Sequence, residues 1–69
     1  MISVQLNGEW RELDDGATVA DAVTLLGVAQ DARGVAVAVD REVVRRGAWG
    51  ETPLQPGARV EILTAIQGG

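Results

Sequence analysis

The chain has 69 residues, with ten acidic side chains, six basic ones and a formal net charge of −4. Folding at that length buries only roughly 60 % of the surface an unfolded chain exposes, leaving volume for one packed core but no deep catalytic cleft. The acidic balance repels phosphate backbones and argues against nucleic-acid binding, while it suits either a positively charged protein partner or solubility alone.

Hydrophobic residues make up 46 % of the chain and aromatics only 3 %, so the core must be built from Val, Leu, Ile and Ala. That composition fits a compact domain rather than a disordered chain. There is no cysteine and no histidine, which removes disulfides, thiolate chemistry and the commonest metal ligand and near-neutral acid–base group. The opening Met1-Ile2-Ser3-Val4 lacks the basic-then-apolar pattern of a secretory signal. The longest apolar run, residues 35–39, is far short of a membrane span. The expectation is a soluble cytoplasmic domain with no membrane partner, no metal and no bound cofactor.

In chain order, Ile2, Val4 and Leu6 alternate with Ser3 and Gln5, the period-two pattern of a half-buried strand. Asn7-Gly8 follows, the strongest short signal for a two-residue type I′ turn. Residues 9–13 return, with Arg11 and Leu13 on one face and Trp10 and Glu12 on the other. The pattern does not say which of these faces points inward; Trp10 reads either as an exposed contact or as a lid on the hairpin, with the lid favoured. Glu9, Glu12, Asp14 and Asp15 span a strand end and a turn with no other ligand type beside them, and read as a solvated edge.

Thr18 reads as a helix N-cap, with Asp21 three residues later as a shortened capping box and a favourable negative charge in the first turn. Val19, Ala22, Val23 and Leu26 fall at i, i+3, i+4 and i+7 and make one apolar stripe. Gly27 is a natural residue for the left-handed position that ends a helix. The helix is thus about two turns long and depends on packing rather than propensity.

Residues 30–34 read as a loop, and residues 34–39 as strand-like, with three valines on one face and two alanines on the other. Asp40-Arg41 makes a tight reversal into residues 42–45. Gly47, Gly50, Pro53 and Pro56 make residues 46–56 irregular, with Trp49 and Leu54 tucking that segment onto the core. Pro56-Gly57 is a turn, and residues 59–66 form a last strand. On it Val60, Ile62, Thr64 and Ile66 share one face, and Glu61, Leu63 and Ala65 the other. Gln67-Gly68-Gly69 follow. One helix between two hairpin-like units argues a two-layer α+β domain, the helix covering one face of a mixed sheet. Leu63 and Ala65 are apolar on the side that Glu61 marks as exposed. With Ile66 they are the candidate partner-docking residues.

Five stretches together carry a family resemblance: Asn7-Gly8-Glu9; Gly16-Ala17-Thr18-Val19 at the start of the helix; Gly34-Val35-Ala36-Val37-Ala38-Val39; Val43-Val44 with Arg46 and Trp49; and Ala65-Ile66-Gln67-Gly68-Gly69. In these stretches the chain resembles, over its whole length, the thiamin-biosynthesis sulfur carriers of the ThiS family. The resemblance implies a β-grasp, ubiquitin-like fold of four to five strands on one short helix. The division expected is a domain over 1–66 and a flexible tail over 67–69. Two departures bear on local geometry: the family usually has Asn-Gly where Asp40-Arg41 stands, and often proline in place of Arg45.

The resemblance also implies a chemistry. A carboxylate resists nucleophilic attack, so the Gly69 carboxylate is activated by a ThiF-like adenylating enzyme that consumes ATP. It is then converted to a thiocarboxylate with sulfur from a donating enzyme, and the sulfur passes to thiazole synthase (ThiG). The chain itself is a protein co-substrate and not an enzyme. Glycine suits positions 68 and 69 because a backbone without Cβ enters a narrow channel, and extended residues 67–69 reach roughly 10 Å. The small subunit of molybdopterin synthase shares this tail chemistry but is usually longer and carries phenylalanines, of which this chain has none. A ubiquitin-like modifier joined to target lysines, and a plain interaction module with no tail chemistry, are the readings from other classes.

Overall fold

The computed structural model describes residues 1–29 and 33–64. The expected strand positions 65 and 66, the tail 67–69 and most of the loop 30–34 lie outside the described residues.

Five strands and one α-helix succeed each other as β1 (Ile2–Leu6), β2 (Glu9–Leu13), α1 (Val19–Leu25), β3 (Val35–Val39), β4 (Glu42–Val44) and β5 (Arg59–Thr64), with a 3-10 helix at Arg46–Glu51 between the last two strands. The sheet order is β2-β1-β5-β3-β4. The β1–β5 pair is parallel, and the other three pairs are antiparallel. A mixed sheet with its last strand in the centre and one helix across it is the β-grasp arrangement.

Both hairpins rest on local turn chemistry. Asn7 (φ 50°) and Gly8 (φ 87°) supply the two left-handed residues of a type I′ turn. The β3–β4 reversal adopts the same left-handed pair with Asp40 (φ 49°) and Arg41 (φ 73°), so the departure from Asn-Gly keeps the turn and accepts strain. Asp40 offsets part of it, because its Oδ1 accepts from the Arg59 backbone N–H at 3.0 Å.

Helix α1 is capped at both ends as its sequence demands. The Thr18 N–H donates to Asp21 Oδ2 at 2.8 Å, and the Asp21 N–H donates to Thr18 Oγ1 at 3.4 Å, which closes a capping box. At the other end Gly27 is left-handed (φ 78°), Val28 N–H donates to Val23 O and Gly27 N–H to Thr24 O. This double bond pattern is a Schellman motif, completed by Val28 packing against the core. Val19, Ala22 and Val23 are buried, as the apolar stripe requires, while Leu26 is only partly so.

The core lies between α1 and one sheet face: Val4 and Leu6 from β1, Leu13 from β2, Val37 from β3, Val60 and Ile62 from β5. Trp49 and Leu54 close its side, as expected. The segment 46–56 is more ordered than its glycines and prolines suggest. Its first six residues form a 3-10 helix, which needs only short-range bonds such as Ala48 N–H to Arg45 O. The Trp49 indole N–H donates to Val44 O at 2.9 Å, and the Arg46 guanidinium lies 4.8 Å above the same ring. Residues 52–54 then run beside residues 17–19, with Val19 N–H to Thr52 O and Leu54 N–H to Ala17 O.

Trp10 corrects an expectation. Its register partner is Gln5, so it points to the sheet face opposite α1, and it is 61 % exposed rather than a lid. Leu13, paired with Ile2, faces the core, whereas Arg11 on the same side is exposed and makes only a solvent-screened contact to Glu9 at 3.7 Å. The acidic residues Glu9, Glu12, Asp14 and Asp15 are all exposed.

Two outcomes follow from these features. Left-handed backbone costs a residue with a Cβ roughly 1–2 kcal/mol, so Arg41→Gly should raise stability by about 0.5–1 kcal/mol after the added unfolded-state freedom of glycine is subtracted. A thermal melt rising by a few degrees checks this. The Met1 α-ammonium lies 2.9 Å from Asp15 Oδ1, and this hydrogen bond, with the Coulomb attraction of the same carboxylate, raises its pKa above the usual 8.0. Its contribution to stability is therefore complete below the unfolded value and is lost as pH rises through the folded one. Asp15→Asn should lower the amine pKa measured by NMR titration.

Candidate functional site

The pairing of β5 explains why the face away from α1 is the candidate recognition surface. Directly paired residues share a face, so Ala36 with Leu63, Ala38 with both Glu61 and Val43, and Gln5 with both Arg59 and Trp10 all lie on the open side. Leu63 is 66 % exposed and Val43 81 % exposed. The segment 46–56 does not cover Leu63; it packs at α1, through Thr52 to Val19 and Leu54 to Ala17. Of the docking residues expected from the sequence, Leu63 is placed at the surface. Ala65 and Ile66 lie outside the described residues, as do Gln67, Gly68 and Gly69.

Leu63 borders a shallow groove of about 440 Å³ whose other walls are Gln5, Asn7, Gly8, Arg59 and Glu61. One apolar side chain beside one guanidinium and one carboxylate favours a protein surface over a small apolar ligand. Arg59 opens β5 and Glu61 follows two residues later on the same face, so both signs of charge lie on the strand before Leu63. Val43 was not singled out as a surface contact by sequence reasoning, and for Trp10 an exposed contact was the less favoured of two readings. Val43 could have been found from the β4 alternation, in which Val44 faces the core with Val37. Trp10 needed the orientation of β2, which its own pattern leaves open.

The site also contains a contact between the two ends of the chain. The Asn7 side-chain amide donates through Nδ2 to Ile62 O at 3.1 Å and accepts at Oδ1 from the Ile62 N–H at 2.8 Å. In the sequence Asn7 carries only a turn signal. Its second set of bonds depends on β5 lying beside β1, 55 residues away.

What this arrangement can do is hold the strand that leads toward residues 65–69. Strand β5 is central in the sheet, it is fixed on both sides, and it is followed in sequence by Ala65-Ile66-Gln67-Gly68-Gly69. Among the described residues, no three His, Cys, Asp or Glu side chains are grouped to hold a metal ion, and no helix is long and apolar enough to cross a membrane.

Comparison with known proteins agrees with this geometry. No curated protein matches the sequence. The crystal structure of a thiamine biosynthesis protein (ThiS) from Geobacter metallireducens is 30 % identical, with a TM-score of 0.74 over 99 % of this chain and 100 % of that one. The NMR solution structure of a thiamine biosynthesis protein from the same organism is likewise 30 % identical, with a TM-score of 0.76 over 99 % of this chain and 88 % of that one. The model of the ThiS family matches residues 4–69, nearly the whole sequence and the full Gly-Gly ending. The chain belongs to the ThiS family of small sulfur carrier proteins.

Proposed function

We propose that this protein carries sulfur on the carboxylate of Gly69 for thiazole formation in thiamin biosynthesis. The observation that carries the reading is the family match, which extends from residue 4 through β5 to Gly69. The similarity to the two thiamine biosynthesis structures over almost the whole chain supports the choice of pathway. The lack of phenylalanine separates the chain from the molybdopterin-synthase small subunits.

The chemistry needs a partner at every step, because the described side chains offer no histidine, thiol or metal cluster. A Gly69 carboxylate oxygen attacks the α-phosphorus of ATP on a ThiF-like adenylating enzyme; the P–O bond to pyrophosphate breaks and an acyl-adenylate forms. Hydrosulfide delivered by a donating enzyme then adds to the activated carbonyl; the bond to AMP breaks, AMP leaves, and the thiocarboxylate remains. Thiazole synthase takes the sulfur, and hydrolysis returns the carboxylate. This chain binds no cofactor of its own in that cycle, and it acts as a co-substrate.

Geometry divides the work between body and tail. Five residues, 65–69, follow Thr64, and a fully extended chain of that length spans at most about 18 Å. The carboxylate can therefore enter an active site while the body stays at its rim. Leu63, at the base of the tail and 66 % exposed, is the docking anchor, and Ala65 and Ile66 extend it. The exposed apolar side chain supplies contact area, and the acidic surface, net −4, favours partners with a positive rim.

Incubation with the cognate adenylating enzyme, ATP and a sulfur source should give a product heavier by the difference between sulfur and oxygen, mapped by fragmentation to Gly69. A variant with one residue appended after Gly69 should show no mass change, and a mass change elsewhere in the chain would sink the proposal. Leu63→Asp should raise KM for adenylation about tenfold, equivalent to about 1.4 kcal/mol of docking energy, with kcat preserved because the tail is untouched.

A further inference from the structure

Strand β1 ends before its partner does. In the parallel ladder Gln5 N–H donates to Ala58 O at 2.8 Å and Asn7 N–H to Val60 O at 2.9 Å. A straight strand would offer its next peptide group to Ile62, but the chain reverses at Asn7-Gly8 to begin β2. The Asn7 side-chain amide stands in that place and bonds both the N–H and the C=O of Ile62. Ile62 is opposite Val37 on its other side. Since its two backbone groups point toward Asn7, this is a non-hydrogen-bonded antiparallel pair. The amide of Asn7 thus holds β5 two residues before the strand ends at Thr64.

We infer that Asn7 is a positioning residue for the sulfur-carrying tail: it locks β5 at Ile62 and so fixes the place and heading of the chain at Thr64, from which residues 65–69 continue. The inference rests on the reading of Gly69 as the adenylated group. Beyond Asn7, residues 63 and 64 are held through the β3 side, in the pairs Ala36 with Leu63 and Val35 with Thr64. Without the amide, residues 63 and 64 are held from that one side, and the direction of the chain at Thr64 is no longer fixed. Misaligned reacting groups lower the rate of the step itself rather than the affinity of the docked body.

The residue type follows from two demands made together. Position 7 must take a left-handed φ of 50°, which asparagine tolerates better than other residues with a Cβ. It must also present one donor and one acceptor from a short stem. Glycine meets the first demand only. Aspartate meets the first and half of the second, since it accepts from the Ile62 N–H but has no donor for the Ile62 C=O.

Asn7→Gly and Asn7→Asp test this, in the full chain, against wild type. Amide hydrogen exchange at Ile62 should be about tenfold faster or more in N7G, with Val4 and Val23 near their wild-type rates, because the opening is local. Backbone order parameters at Leu63 and Thr64 should fall in the same variant. With the cognate adenylating enzyme and ATP, N7G should lose about tenfold in kcat with KM within about twofold, and N7D should lie between. Unchanged exchange at Ile62, or unchanged order at Leu63 and Thr64, overturns the anchor. A normal kcat, or a loss that falls on KM, overturns its role in presentation. If wild-type protein is not adenylated at all, the carrier chemistry fails as a reading, while the exchange and order measurements still decide the anchor. Should N7G melt near room temperature, the same measurements on N7D decide it.

Discussion

The parallel pairing of β1 with β5 is the contact on which this domain depends. It joins Gln5 to Arg59 and Leu6 to Val60, residues more than fifty positions apart. It also places the last strand in the middle of the sheet, between β1 and β3. The β3–β5 ladder is also long-range, whereas the hairpins and the helix form locally. The β1–β2 and β3–β4 hairpins close across two-residue turns, and α1 is capped from within its own sequence. Loop-closure entropy makes such local pieces cheap and the long-range pair expensive. The burial of Val4, Leu6, Val37, Val60 and Ile62 around α1 offsets that cost.

A central β5 has a consequence for the edges. The sheet ends in β2 and β4, and both could template pairing with another chain. Strand β4 is only three residues long and opens with Glu42, while β2 carries Glu9, Arg11 and Glu12. Charge and brevity keep the edges from adding strands, so self-association through the sheet is disfavoured. The surface left for recognition is then the open face beside Leu63, where apolar and charged groups of β5 meet.

Much of this was legible in the sequence because the signals were short-range. Asn7-Gly8, the Thr18 and Asp21 cap and Gly27 each specify their geometry through neighbours within a few residues, and the structure adopts all three. What escaped was set by distance. The pattern of residues 9–13 alternates without a clean apolar side, so only the register with β1 shows that Leu13 turns inward and Trp10 outward. The 3-10 helix escaped for another reason: its glycines and the prolines beyond it forbid a long α-helix but not one short tighter turn stabilised by the Trp49 indole on Val44. The second role of Asn7 was invisible because one residue serves two structures, and its turn signal accounts for its presence completely.

The candidate site shows the same division in sharper form. Leu63 could be picked out because an apolar side chain shares a strand face with Glu61, a local contrast that survives in the folded sheet as 66 % exposure. Position along the strand matters more than the exposure itself. Val43 is more exposed, at 81 %, yet it lies on the edge strand of a short hairpin. Leu63 lies on the strand held from both sides, one residue from its end. A contact surface attached to the most constrained strand relays the orientation of the whole body to whatever follows Thr64. A small carrier can help its partners by being rigid where it is gripped.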